Sequence, residues 1–132
     1  MNTVVKNWLL KALHDIKIVT NELKLNENEI VTDACCFHCQ QAVEKFLKSY
    51  LIYKEAGYPY THNLEYLLKK CKEIDNDFND FDMEGLTDYA VDIRYGEDFF
   101  VPSVNETKEA YKKAVEVKDF VLKKIGITEN DL

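Results

Sequence analysis

Apolar positions recur every three or four residues along most of the chain. Trp8, Ala12, Ile16, Val19 and Leu23, flanked by Leu9 and Leu13, form one face of an amphipathic helix expected from about Val4 to Lys24. The polar stretch Asn26 to Glu29 interrupts it. A second helix is expected from about Glu29 to Ala56, because Cys35, Cys39, Ala42, Val43, Phe46, Tyr50 and Tyr53 fall on one side at about 100° per residue. Gly57 with Pro59 is the expected stop. Thr61 is placed to cap a third helix with Leu64, Leu67, Leu68 and Cys71 inward. Leu86, Tyr89, Ala90 and Ile93 predict a fourth, shorter one. The last is marked most fully. Pro102 precedes it, Ser103 and Glu106 have capping-box spacing, Ala110, Ala114, Val117, Val121 and Ile125 form the stripe, and Gly126 closes it. Phe99, Phe100 and Val101 lack helical spacing and are expected to fold back onto the helices.

Composition narrows the fold to one class. The 132 residues suit a single domain, taken as 1–132 with its core at about 4–125. With 4 Gly and 2 Pro the chain lacks the turn residues of a many-stranded sandwich or barrel. The expectation is all-α, an up-and-down bundle of four longer helices plus one short helix, since short connections favour antiparallel neighbours. No apolar run approaches the roughly 18 residues of a membrane span. The opening MNTVVKNWLL is interrupted too early, by Lys11 and His14, to read as a signal peptide, so a cytoplasmic location with no membrane contact is expected.

Charge adds one anomaly. The net charge of -7 argues against tight, nonspecific binding to phosphate backbones, which needs clustered Lys and Arg. Residues 73 to 98 hold ten acidic side chains and one basic group, Arg94, which is also the only Arg of the chain. At the end of a short helix Arg94 can offset the helix dipole and the acids around it. Arg is equally the side chain best shaped to hold a phosphate with two hydrogen bonds, and its neighbour Tyr95 can stack on a base.

Other chemistry is sparse. Cys36 and Cys39 have CxxC spacing with His38 between them, but on a continuous helix Cys35, Cys36 and Cys39 point into the apolar stripe and His38 does not, which favours free, buried thiols and assigns no metal. His38, Gln41 and Lys45 share a polar side of the second helix. That side reads either as a solvated face or, because Ala34, Phe37 and Ile52 share it, as one partly covered by another helix or subunit. No phosphate-loop, HExxH or GxSxG motif is present, and neither a cofactor nor a catalytic residue is assigned.

The stretches WLLKALHDI at 8–16, FHCQQAVEKFLKSYLI at 37–52, THNLEYLL at 61–68 and IRY at 93–95 resemble, in order and separation, the HEPN domain. The resemblance implies a helical bundle, commonly dimeric, encoded beside a minimal nucleotidyltransferase as a two-component module of toxin-antitoxin type. Many such proteins are metal-independent ribonucleases whose site is an Arg followed, after four to six residues, by His. Here those positions are Phe99, Phe100 and Val101, and no His follows His62. The implied function is therefore a non-catalytic module that binds a nucleotide or RNA at a local site, or a partner protein, with a homodimer expected. The alternatives are a ribonuclease with a displaced histidine, supplied by His62 or His38, and a dimeric adaptor without a small ligand. By position, the resemblance assigns His38, Gln41, Lys45, His62, Arg94 and Tyr95 to a ligand groove, with Lys45 and Arg94 facing phosphate. Phe37, Ile52, Phe99 and Phe100 are the expected interface residues.

Overall fold

A computed structural model describes residues 1–90 and 101–132 of the chain. Four α-helices make up the bundle, α1 (Thr3–Glu22), α2 (Thr32–Tyr53), α3 (Leu64–Ile74) and α4 (Val104–Ile125), with short 3-10 turns at Glu27–Glu29, Thr87–Ala90 and Glu129–Asp131. The described residues contain no strand. Arg94, Tyr95, Phe99 and Phe100 lie outside the described residues, as does Ile93 of the expected short helix.

Helix boundaries follow local backbone chemistry. The Asn2 side chain accepts from the Val4 N–H at 2.6 Å and starts α1. The start of α2 was expected near Glu29, but Glu27–Glu29 form their own turn and Ile30 is extended, so the helix begins at Thr32. Its end also differs. Glu55 adopts φ +59, Glu55 N donates to Ile52 O at 2.9 Å and Ala56 N to Leu51 O at 3.0 Å, so the chain leaves the helix before Gly57 is reached. Thr61 does not cap α3. Asn63 does, accepting from the Tyr66 N–H at 2.9 Å, while the Thr61 hydroxyl accepts from the Asn63 N–H at 3.0 Å and fixes the approach. The capping box of Ser103 with Glu106 and the left-handed Gly126 bound α4 as expected.

The core is one continuous apolar body. Leu9, Ala12, Ile16 and Val19 of α1, Cys39, Val43, Phe46 and Tyr50 of α2, Leu64, Leu67 and Cys71 of α3, and Ala114, Val117 and Val121 of α4 are all buried in it. Tyr53, expected on the same stripe of α2, is exposed at the end of the helix.

Cross-links between helices give their directions. α1 and α2 form an antiparallel hairpin, with Asp15 beside His38 near one end and Trp8 beside Lys48 near the other. α3 runs in the same direction as α2, for Gln40 reaches His62 O, Cys71 Sγ donates to Leu47 O and the Tyr50 hydroxyl donates to Asp75. α4 shares that direction, since Cys36 meets Thr107 at one end and Lys124 joins Tyr50 at Asp75 at the other. Connector length explains the parallel pairs. The short turn at 23–31 can only reverse the chain, whereas 54–63 climbs back along α2, passing Lys48 at Tyr58 and Glu44 at His62, before α3 begins. Segment 75–90 climbs likewise beside α4, packing Phe78 and Phe81 on Phe120 with ring centroids 4.8 and 5.4 Å away. No helix of the described residues is long and apolar enough to cross a membrane.

Candidate functional site

Two buried carboxylates organise the polar side of α2. Asp15 projects from α1 and is nearly enclosed, with 9% of its side chain exposed. Its Oδ1 lies 2.8 Å from His38 Nδ1 and its Oδ2 accepts from Lys45 Nζ at 2.6 Å. Glu44, with 6% exposed, repeats the arrangement one helix face away. Its Oε1 lies 2.8 Å from His62 Nδ1 and accepts from Gln40 Nε2 at 3.0 Å, and its Oε2 accepts from Lys48 Nζ at 2.9 Å. Gln41 joins the second group by donating to Gln40 Oε1 at 2.7 Å. Each carboxylate thus holds one lysine on one oxygen and one imidazole on the other.

This geometry fixes the histidines chemically. An ionised carboxylate only accepts, so the facing Nδ1 must carry the proton and Nε2 is left as the atom available to a ligand. His38 and His62 keep 28% and 62% of their side chains exposed while their carboxylate partners are closed off. Burial alone would push the Glu44 carboxyl up, but the bonds from Gln40, His62 and Lys48 outweigh it and hold the group below its ordinary value. The ammonium of Lys48 is itself buried, 5.2 Å from the ring centre of Tyr58 and 5.9 Å from that of Trp8.

A consequence is testable in acid. A carboxyl whose folded-state pKa is depressed contributes stability above its ordinary value and loses it as pH falls towards the depressed one. The Lys124 and Tyr50 bonds and the Asp77 N–H hold Asp75 at about 2, and Glu44 is also depressed. Chemical denaturation should therefore show little change in these contributions from pH 7 to 5 and a steady decline below about 4.5. Stability that rises on acidification through that window would contradict the assignment.

The structure gathers some of the expected site residues and separates others. His38 and Lys45 share Asp15, and Gln41 lies on the same side of α2. His62 joins them only through Glu44, Gln40 and Gln41. Arg94 and Tyr95 fall outside the described residues, so the expected groove is described here only by its α2 wall and the 54–63 connector. Lys45 is less free than expected, because its ammonium is held by Asp15 and is bound towards α1. Phe37 and Ile52 are half-buried and Ala34 is exposed on that side. Asp15 and Glu44 were not singled out from the sequence. Asp15 lies seven residues after Trp8 on the same helix face, and Glu44 with Lys48 reads as an ordinary surface pair until Val43, Phe46, Leu47 and Leu51 around it are counted.

The thiols lie apart from this chemistry. Cys35, Cys36, Cys39 and Cys71 are free and buried, and burial pushes the Cys35 thiol up to about 11 and the Cys71 thiol up to about 12. His38 turns from its cysteine neighbours to Asp15. Clefts of about 310 Å³ beside Leu86, Tyr89 and Ala110 and about 430 Å³ beside Leu68, Phe81 and Met83 include neither of these histidines.

Comparison with known proteins gives one match. The family model described as the HEPN domain covers residues 5–125. No curated protein and no solved structure matches the chain.

Proposed function

Because the chain belongs to the HEPN domain family, we propose that it is a binding module that takes a nucleotide on the polar side of α2, and that it works as a homodimer beside a minimal nucleotidyltransferase in a two-component system of toxin-antitoxin type. The observation that carries the ligand is the pair of imidazoles, His38 and His62, each anchored through Nδ1 to a buried carboxylate that a lysine already neutralises. Such anchoring presents Nε2 in one orientation, so that in the imidazolium form, with a proton on each ring nitrogen, Nε2–H donates to a phosphate oxygen without first ordering the side chain. Net charge then matters little, since a small local site replaces a broad basic surface. The absence of any His after His62 removes the histidine that the usual ribonuclease arrangement would place after four to six intervening residues, at Phe99, Phe100 or Val101.

A second reading is supported by the same imidazoles. A carboxylate that fixes Nδ1–H is also how a general base is oriented, so His38 or His62 is chemically able to take the 2'-hydroxyl proton of RNA. Calorimetry with ATP, together with incubation of structured RNA in the presence of a chelator, separates the two. Binding of ATP that is lost in His38→Gln and in Arg94→Ala, with helical circular dichroism retained and RNA left intact, is the expected result. RNA cleavage by the parent that disappears in His38→Gln would replace the binding module with the enzyme.

A further inference from the structure

One group of side chains outside the two carboxylate clusters is arranged as if for a ligand. The 54–63 connector is pinned to α2 at two points. At the first, the Tyr58 ring stands edge-on to Trp8 with centroids 5.2 Å apart and covers the Lys48 ammonium. At the second, the His62 imidazole reaches Glu44 and its carbonyl accepts from Gln40 at 3.4 Å. Between the pins stands Tyr60, 99% exposed, with its ring centroid 6.2 Å from that of Tyr58. Pro59 restricts the backbone immediately before it. A lone exposed aromatic is ordinary on a protein surface. Tyr60 differs in ending a row of three rings that begins at the core edge with Trp8, on a segment held at both sides.

We propose that Tyr60, backed by Tyr58 and Trp8, is the stacking shelf for the base of a nucleotide whose phosphate is met by His62. The inference rests on the nucleotide-binding reading above and adds to it the place and chemical class of the recognised ring. Shelf and imidazole lie two positions apart with Thr61 between them, at most about 7 Å of chain, which suits one nucleotide rather than an extended strand. Charge fits as well. Glu44 is buried and answered by Lys48, and His62, with 62% of its side chain exposed and Nδ1 held by Glu44, can donate from Nε2 to an anion as the imidazolium. Stacking on an aromatic face tolerates any base, so the shelf supplies affinity, and discrimination among bases is left to other contacts. Because both pins hold without ligand, little ordering is lost on binding.

Calorimetry with two probes, ATP and inorganic tripolyphosphate, tests the assignment. Tyr60→Ala should weaken ATP by about tenfold or more and leave tripolyphosphate unchanged. Tyr60→Trp should keep ATP affinity, and His62→Gln should weaken both probes. As Tyr60 is 99% exposed, its two variants fold, and helical circular dichroism verifies this for them and for His62→Gln. A parent that binds ATP and a Tyr60→Ala variant that binds it equally well would overturn the shelf while leaving the binding module standing. A parent that binds neither probe would overturn the nucleotide reading and the shelf with it.

Discussion

Replacing Glu44 with Leu should lower the unfolding free energy by about 3–5 kcal/mol, the usual cost of breaking a buried ion pair from one side. The substitution keeps side-chain bulk but leaves the Lys48 ammonium, 7% exposed, without its anion among the rings of Trp8 and Tyr58. It also deprives Gln40 Nε2 and His62 Nδ1 of their shared acceptor. Desolvation explains the size of the effect, because in water either partner would be rehydrated at small cost. Replacing both members, as Glu44→Leu with Lys48→Met, should therefore recover much of the loss, since no unpaired charge remains. Urea unfolding followed by helical circular dichroism measures Glu44→Leu, Lys48→Met and the double variant, and a double mutant as unstable as the sum of the singles would show that the pair is not coupled in this way.

Tyr50→Ala should cost a similar amount, about 3–5 kcal/mol, for a different reason. The ring is completely buried and packs on Phe78 with centroids 4.8 Å apart, so its removal opens a cavity where α2, segment 75–90 and α4 meet. The hydroxyl contributes separately by donating to Asp75 at 2.8 Å, the same carboxylate that accepts from Lys124. Tyr50→Phe removes only that bond and should cost about 1.5–3 kcal/mol, the range for a hydrogen bond to a charged acceptor. Denaturation midpoints of the two variants separate packing from hydrogen bonding, and equal losses would mean that the cavity is refilled or that the hydroxyl carries the larger part. Since a domain of this size holds about 5–15 kcal/mol in all, either large substitution leaves little in reserve.

How far the sequence revealed this molecule depended on the range of the interactions. Helical spacing located α1, α2, α3 and α4 because burial of one face repeats locally, and the Ser103 and Glu106 pair was readable because both groups act within one turn. Boundaries set by backbone conformation were harder. Nothing about a glutamate announces the left-handed Glu55, and two adjacent candidates, Thr61 and Asn63, divide the start of α3 between them. The directions of α3 and α4 lie in connectors that pack along other helices, which spacing cannot show. At the site, His38, Gln41, Lys45 and His62 were recognisable as polar residues in a familiar order, yet the groups that orient them were not. Asp15 sits beside an apolar stripe that hides it, and Glu44 meets His62 across eighteen residues of sequence.

The shared direction of α2, α3 and α4 has an electrostatic consequence. In an alternating bundle the peptide dipoles of neighbouring helices cancel, but here three amino-terminal ends, each equivalent to about half a positive charge, face the same way, opposed by the single carboxyl-terminal end of α1. The first turns answer with Asp33, Glu65 and Glu106, one acid to each helix. Part of the acidic excess is thus balanced by backbone partial charges that a count of side chains omits. Ionic strength should act on those ends less than the formal charge implies, because helix-end fields decay within a turn.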